Sequence, residues 1–247
     1  MRRYGLIGYP LHHSFSKDYF SRKFANEGVN AVYDNFPLKH ISGLPGLIDK
    51  YPDLHGLNVT HPYKTLIIEY LDDIDGKASD VGAVNVISIT GKGMNRSLKG
   101  FNTDIHGFIL SLKPLIGRRI SRALVLGTGG ASRAVQTGLD YLGVKYSVVS
   151  RDETKGDYTY TDISGEIIRN YKLIINATPL GMYPDTDSAP DIPYESLTGD
   201  TILFDLVYNP ETSRFLMQGQ EKGCRIKNGK EMLLIQAEKA WEIWNRH

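Results

Sequence analysis

The stretch Val125-Leu126-Gly127-Thr128-Gly129-Gly130-Ala131-Ser132-Arg133-Ala134 constrains the fold more than any other part of this chain. A β-branched and leucine run ends on glycines and passes directly into a helix-forming segment. That order predicts a strand at Ala123–Leu126, a tight turn, a helix over Ser132–Tyr141 closed by Gly143, and a second strand at Tyr146–Ser150. Such a βαβ unit implies a parallel sheet, because the helix carries the chain back to the edge where the first strand began, so the next strand runs in the same direction. The glycines also give the turn a chemical capacity. Gly127 permits the sharp turn, Gly129 lets backbone approach a ligand, and the N–H groups of the helix N-terminus attract a pyrophosphate. Thr128, Gly130 and Ala131 complete this cradle. The spacing departs from plain G-x-G-x-x-G, and a merely connecting loop is the alternative that the ordered strand, loop, helix and strand disfavour.

The end of the second strand bears on which dinucleotide is held. There Ser150-Arg151-Asp152 stands where an acidic residue would meet a ribose hydroxyl. The Arg151 guanidinium can grip a 2′-phosphate bidentately and stack on adenine, with Ser150 adding a hydrogen bond, which favours NADP over NAD. Asp152 and Glu153 weigh the other way, as does the alternative of a simple Arg151–Asp152 surface pair. Further apolar runs at Leu173–Asn176 and Ile202–Asp205 predict more parallel strands.

The first half alternates in the same manner but less regularly. Its pattern predicts strands at Tyr4–Ile7, Ala31–Phe36 and Leu57–Thr60, and helices over Lys17–Glu27, Leu44–Tyr51 and Tyr63–Leu71. Val84–Thr90 followed by Gly91-Lys92-Gly93 predicts a hairpin, so this sheet should be mixed. A helix follows Thr103, and a terminal helix over Glu231–Trp244 carries Gln236 near its apolar face. The expectation is an α/β chain of two domains with a cleft between them.

Bulk composition excludes several function classes. Lys and Arg number 29 against 28 Asp and Glu, a net charge of +1 without long runs, so no nucleic-acid face is expected. No apolar run approaches the ~20 residues of a membrane span, and residues 1–20 do not read as a signal peptide. The single cysteine, Cys224, suits a reducing cytoplasm. His13, His61 and His106 fall within polar clusters, yet no spacing suggests a metal, and none is expected.

Four clusters punctuate the first half: His13-Ser14-Phe15-Ser16-Lys17, Asn58-Val59-Thr60-His61-Pro62-Tyr63-Lys64, Gly82-Ala83-Val84-Asn85 and Gly100-Phe101-Asn102-Thr103-Asp104. Each falls at a strand end or helix start, where open α/β sheets bind ligands. Singly they have plainer readings: Ser14 and Ser16 as helix caps, Asn85 as a turn residue, Asp104 as a cap and Lys64 as a solvated helix-start lysine. Together with Asn176-Ala177-Thr178-Pro179-Leu180-Gly181-Met182, Asp205-x-x-Tyr208-Asn209-Pro210-x-Thr212 and Gly229-x-x-Met232-Leu233-x-x-Gln236, they resemble the shikimate dehydrogenase family along nearly the whole chain.

The resemblance implies NADP-dependent, reversible reduction of 3-dehydroshikimate to shikimate, a step of aromatic amino acid biosynthesis. It implies that Ser14 and Ser16 bind the substrate carboxylate and that Asn58, Thr60, Asn85, Asp104 and Gln236 read the ring hydroxyls. Lys64 and Asp104 would be the catalytic pair, and Ser16, rather than threonine, favours shikimate over quinate. Thr178, Met182, Tyr208, Gly229 and Met232 would line the nicotinamide and the cleft, although a methionine on a terminal helix such as Met232 is more often core. Asp152 departs from the threonine common in the family. Residues 1–103 with 229–247 would bind substrate and residues 104–228 the nucleotide, closing about hinges near Thr103 and Asn228, in a monomer or homodimer. The competing readings are a quinate/shikimate dehydrogenase using NAD and a sensor that binds NADP and a cyclic acid without turnover.

Overall fold

The computed structural model describes residues 1–11, 14–116 and 120–246; His13, which opens the first polar cluster, lies outside them. The chain divides into two compact units, one of Met1–Thr103 with Ala237–His247 and the other of Asp104–Gln236.

The first unit begins β1 (Arg2–Gly8), α1 (Phe15–Asn26), β2 (Ala31–Pro37), α2 (Leu44–Lys50) and β3 (Leu54–Val59). It continues with β4 (Asp73–Ile74), α3 (Gly76–Val81), β5 (Val86–Thr90) and β6 (Ser97–Phe101). Its six strands run in the order β2-β1-β3-β5-β6-β4. β1 is parallel to both β2 and β3, while β3, β5 and β6 are antiparallel, so the sheet is mixed as the hairpin signal predicts. One face carries an aliphatic core around Ile7, Leu57, Ile67 and Ile87. The other carries an aromatic core of Tyr4, Phe20, Phe24, Tyr33 and Trp244. Trp244 donates its indole N–H to the Ile87 carbonyl at 3.0 Å, and a Cβ on Gly56 would lie only 2.2 Å from that nitrogen. Gly56 is therefore the clearance that lets the indole reach the sheet.

The second unit contains α4 (Asp104–Leu112), β7 (Arg122–Leu126), α5 (Gly130–Tyr141), β8 (Lys145–Ser150), β9 (Tyr158–Thr159) and α6 (Gly165–Ile168). After these come β10 (Leu173–Asn176), β11 (Ile202–Asp205), α7 (Arg214–Glu221), β12 (Arg225–Lys227) and α8 (Lys230–Trp244). Its strands follow the order β12-β11-β10-β7-β8-β9, and every pairing is parallel. The central strands β7, β10 and β11 are buried almost throughout, which is why they read as continuous apolar runs. α8 belongs to both units: Met232 packs in the second core, whereas Ala237, Ala240, Ile243 and Trp244 pack in the first.

Two expectations are corrected here. Instead of a helix over Tyr63–Leu71 there is a short 3₁₀ segment, Leu66–Tyr70. The cause is a diverted carbonyl: Lys64 O accepts from Val84 N at 2.7 Å, and Ile68 N turns to Thr65 O at 3.4 Å. An α-helical bond from Ile68 to Lys64 is thereby lost. Helix α1 also begins two residues earlier than Lys17, because Ser14 is its cap. No helix among the described residues is long and apolar enough to cross a membrane.

Candidate active site

In the first unit the candidate polar residues gather where β3 and β6 end and β5 begins. Asn58 is the penultimate residue of β3 and is 5 % exposed; Asn85 immediately precedes β5 and is 3 % exposed. Burying an amide without partners costs about 1–3 kcal/mol, so each must be satisfied. Asn85 exchanges two bonds with Thr103: its Oδ1 accepts from Thr103 N at 2.7 Å and its Nδ2 donates to Thr103 Oγ1 at 2.9 Å. Asn58 Nδ2 donates to the Asn85 carbonyl at 3.4 Å, and Asn58 Oδ1 accepts the Tyr33 phenol at 2.7 Å. The result is a buried row, Tyr33 to Asn58 to Asn85 to Thr103, whose amides are held in fixed orientations before any ligand arrives.

The flanking candidates lie on turns around this row. Ser14 caps α1, its Oγ accepting from Lys17 N at 3.1 Å. That bond uses the oxygen and leaves the hydroxyl proton to be donated, beside the positive end of a helix, an arrangement suited to a carboxylate. Ser16 sits in the first turn of α1 and acts on the Tyr33 phenol, opposing the burial that pushes that phenol well above its usual range. Thr60 follows β3, with its N–H bonded to Ile7 O at 2.9 Å. Lys64 is half-buried in the turn beyond it, its backbone pinned by the carbonyl bond to Val84.

In the second unit the glycine loop has the form its sequence suggests. Gly127 has φ of +105°, a region that disfavours every side chain, and an added Cβ would come within 2.9 Å of Thr178 Cγ2. Gly129 is the cap position of α5, no side chain caps it, and a Cβ there would meet nothing within 4 Å. A 12-residue helix that starts on an uncapped glycine with clear space beside that glycine is a cradle that fits a diphosphate. Thr128 and Ala131 are half-buried beside it, and Gly130 opens the helix.

Beyond β8, Ser150 is buried and its Oγ accepts from Asp152 N at 3.1 Å. The Asp152 carboxylate closes on its own turn, accepting from Thr154 N and Oγ1 and pairing with Lys155 at 2.8 Å, which holds it well below the usual range. Among the described residues Arg151 has no ion pair, so the Arg151–Asp152 pair is not formed; the guanidinium is exposed and acts on the Tyr160 phenol.

A second polar network shapes the loop after β10. Asn176 Oδ1 accepts from Thr178 N at 3.0 Å and Thr178 Oγ1 at 2.6 Å, while its Nδ2 donates to Asp205 Oδ1 at 2.9 Å. Asp205, fully buried at the end of β11, also accepts from Val207 N at 2.9 Å and from the Ser213 hydroxyl that caps α7. Burial pushes its carboxyl up to about 6 against the pull of these three donors. Sequence reasoning places Asn176 and Asp205 in motifs without giving either a role, and passes over Tyr33. Their types are ordinary for strands and turns, and only the pairing of distant strands reveals their partners.

The remaining candidates are less uniform. Met182 is 43 % exposed, Tyr208 is half-buried with its phenol pushed up by burial, and Met232 is 7 % exposed within the second core. Gly229 has a structural reason to be glycine, since a Cβ would lie 2.2 Å from Leu206 O. On α4, Gly107 lets α8 approach so closely that a Cβ would sit 2.5 Å from Met232 O and 3.2 Å from Gln236 Cβ. Asp104 lies one turn before Gly107, and Gln236 bonds Leu233 O at 3.0 Å, so both stand near this helix crossing. Among the described residues no group of three or more His, Cys, Asp or Glu side chains is placed to hold a metal ion.

A mixed α/β unit with fixed buried amides, joined to a parallel-sheet unit with an uncapped glycine loop, defines a dinucleotide-binding α/β protein with a separate polar-ligand unit. Comparison with known proteins narrows this class. Residues 6–87 match the family described as the shikimate dehydrogenase substrate binding domain. A shikimate dehydrogenase (NADP(+)) of Methanococcus aeolicus is 35 % identical over 97 % of this chain and 90 % of its own. That of Clostridium beijerinckii is 38 % identical over 99 % and 92 %. The crystal structure of shikimate 5-dehydrogenase from Thermus thermophilus in complex with NADP(H) and shikimate superposes with a TM-score of 0.85, at 30 % identity over 99 % of this chain and 94 % of its own. The chain belongs to the shikimate dehydrogenase family.

Proposed function

We propose that this chain is an NADP-dependent shikimate dehydrogenase, reversibly reducing 3-dehydroshikimate to shikimate in the biosynthesis of aromatic amino acids. The observation that carries the reading is the preorganised row of Asn58 and Asn85. A ring bearing several hydroxyls is distinguished from its analogues by buried donors and acceptors that an incomplete ligand would leave unpaired. Residues 1–103 with 229–247 bind the cyclic acid and residues 104–228 the nucleotide. Ser14 and Ser16 take the carboxylate, and Asn58, Thr60, Asn85, Asp104 and Gln236 take the hydroxyls.

When bound, the reduced nicotinamide supplies the hydride. Lys64 holds a proton for the carbonyl oxygen as that oxygen gains charge and takes it back in the reverse direction, while Asp104 supplies the opposing charge. The backbone of Gly127–Ala131 holds the diphosphate, Ser150 and Arg151 hold the 2′-phosphate, and Thr178, Met182, Tyr208, Gly229 and Met232 border the nicotinamide and substrate. The closed turn of Asp152 supports NADP, because that carboxylate is already occupied by Thr154 and Lys155. The protein acts as a monomer or homodimer, and its lone thiol suits the cytoplasm.

The test is absorbance at the reduced-nicotinamide band with shikimate or quinate and NADP+ or NAD+ in parallel. Reduction confined to shikimate with NADP+ is expected. Turnover with NAD+ or quinate moves the chain to a quinate-type activity, and tight binding of both ligands without turnover makes it a sensor.

A further inference from the structure

Tyr33 belongs to no motif, yet it is the side chain that determines which way Asn58 faces. It lies on β2, 2 % exposed, with its ring stacked on Phe20 of α1 at 4.9 Å and 13°. Trp244 lies on the same aromatic core, its ring centroid 6.5 Å from that of Tyr33. Its phenol donates to Asn58 Oδ1 at 2.7 Å.

A phenol has one proton to give, and a primary amide has an accepting end and a donating end that differ little in size. Because the proton goes to Oδ1, the oxygen of Asn58 must face β2 and the NH₂ must face away from it. One N–H of that group reaches the Asn85 carbonyl at 3.4 Å, and the other is left for a ligand. Without the phenol proton the two ends are interchangeable, and Asn58 can offer either an acceptor or a donor. Ser16 of α1 also acts on this phenol, pulling its pKa down against the burial that raises it.

The geometry points to Tyr33 as a positioning residue that fixes Asn58 as a hydrogen-bond donor and thereby sets which ring-hydroxyl pattern the protein accepts. This rests on the reading of Asn58 as a substrate contact. The ligand chemistry is a ring hydroxyl that accepts from Asn58 Nδ2, a demand that an analogue lacking that oxygen cannot meet.

A double-mutant cycle tests it on the full chain. Tyr33→Phe keeps the ring and removes only the hydroxyl. It should raise the shikimate KM about tenfold, roughly 1.4 kcal/mol, with kcat within about twofold and the NADP KM unchanged. In an Asn58→Ala background the same change should add less than about twofold, since the group it orients is gone. Asn58→Asp, which keeps the acceptor for Tyr33 but removes the donor, should weaken shikimate as much as Asn58→Ala. Equal effects of Tyr33→Phe in both backgrounds, or an Asn58→Asp variant with the parental KM, overturn the inference. If Asn58→Ala itself leaves the shikimate KM unchanged, the functional reading of Asn58 fails instead. A readout independent of any substrate is the side-chain amide signal of Asn58 in ¹H–¹⁵N spectra. It should shift or broaden in Tyr33→Phe, and an unchanged signal refutes the positioning role.

Discussion

The two units present opposite kinds of surface for recognition. In the first, side chains converge on a buried row and hold one another, as Tyr33, Asn58, Asn85 and Thr103 do. In the second, the glycine loop presents backbone, with Gly129 opening onto free space and no side chain capping α5. Side-chain recognition reads a pattern of hydroxyls, because each amide has a fixed donor and a fixed acceptor. Backbone recognition reads charge and shape, because helix N–H groups favour any anion of the right size. The difference predicts that single-atom changes in the first unit alter which molecule is bound, and that changes in the second alter how tightly a phosphate is held.

The largest effect should come from Lys64, the one side chain assigned to proton transfer. Lys64→Ala should lower kcat by about 10²–10⁴-fold while the shikimate KM moves little. Steady-state rates at saturating NADP+ decide this. Equal losses in kcat and affinity would return Lys64 to ordinary binding and weaken the assignment of chemistry to the first unit.

A comparable energy is stored in the second unit at Asp205. Its folded carboxyl titrates at about 6, above the unfolded value of 3.8. Between those values the native state binds the proton more strongly, so this group's contribution to stability is greatest below about pH 4 and falls as pH rises through 6. The expected loss is about 3 kcal/mol from this group alone. Urea melts of wild type and Asp205→Asn from pH 4 to 7 should show a wild-type slope that the variant lacks. A variant with the same slope would mean that the donors from Asn176, Val207 and Ser213 offset the burial entirely.

Asn85 comes next. Asn85→Ala removes the buried acceptor of the Thr103 N–H, at a cost of about 1–3 kcal/mol, and should raise the shikimate KM without changing that for NADP. Thermal melts with paired KM measurements separate the two effects. A shift in the NADP KM of the same size would erase the division of labour between the units.

How far these features are legible in the sequence follows the same division. The parallel strands at Leu173–Asn176 and Ile202–Asp205 are readable to the residue, because strands buried on both faces must be apolar almost throughout. The glycine loop is equally plain, since positive φ at Gly127 leaves few choices of residue. The periodicity over Tyr63–Leu71 misleads because the carbonyl that would continue the helix is claimed by Val84, far along the chain. Short elements such as β4, β9, β12 and α3 carry too few residues for a period to register. The roles of Tyr33 and Asp205 are hidden for the same reason as that of Val84: their partners lie on other elements, and no local spacing encodes that pairing.

The smallest effect belongs to Arg151, and it is the sharpest check on backbone recognition. The guanidinium is exposed, so its attraction for a 2′-phosphate is screened by water and salt, and Arg151→Ala should raise the NADP KM only about tenfold. The NAD KM should stay unchanged, because NAD has no phosphate at that position and the Gly127–Ala131 cradle holds both diphosphates alike. The difference between the cofactors should also shrink as ionic strength rises from about 0.01 to 0.5 M, as the Debye length falls below the reach of the side chain. Parallel KM series for NADP and NAD at several salt concentrations provide the measurement. An equal rise for both cofactors would show that Arg151 supports the β8 turn rather than the phosphate, and the preference for NADP would then have to reside in Ser150 and the closed Asp152 turn.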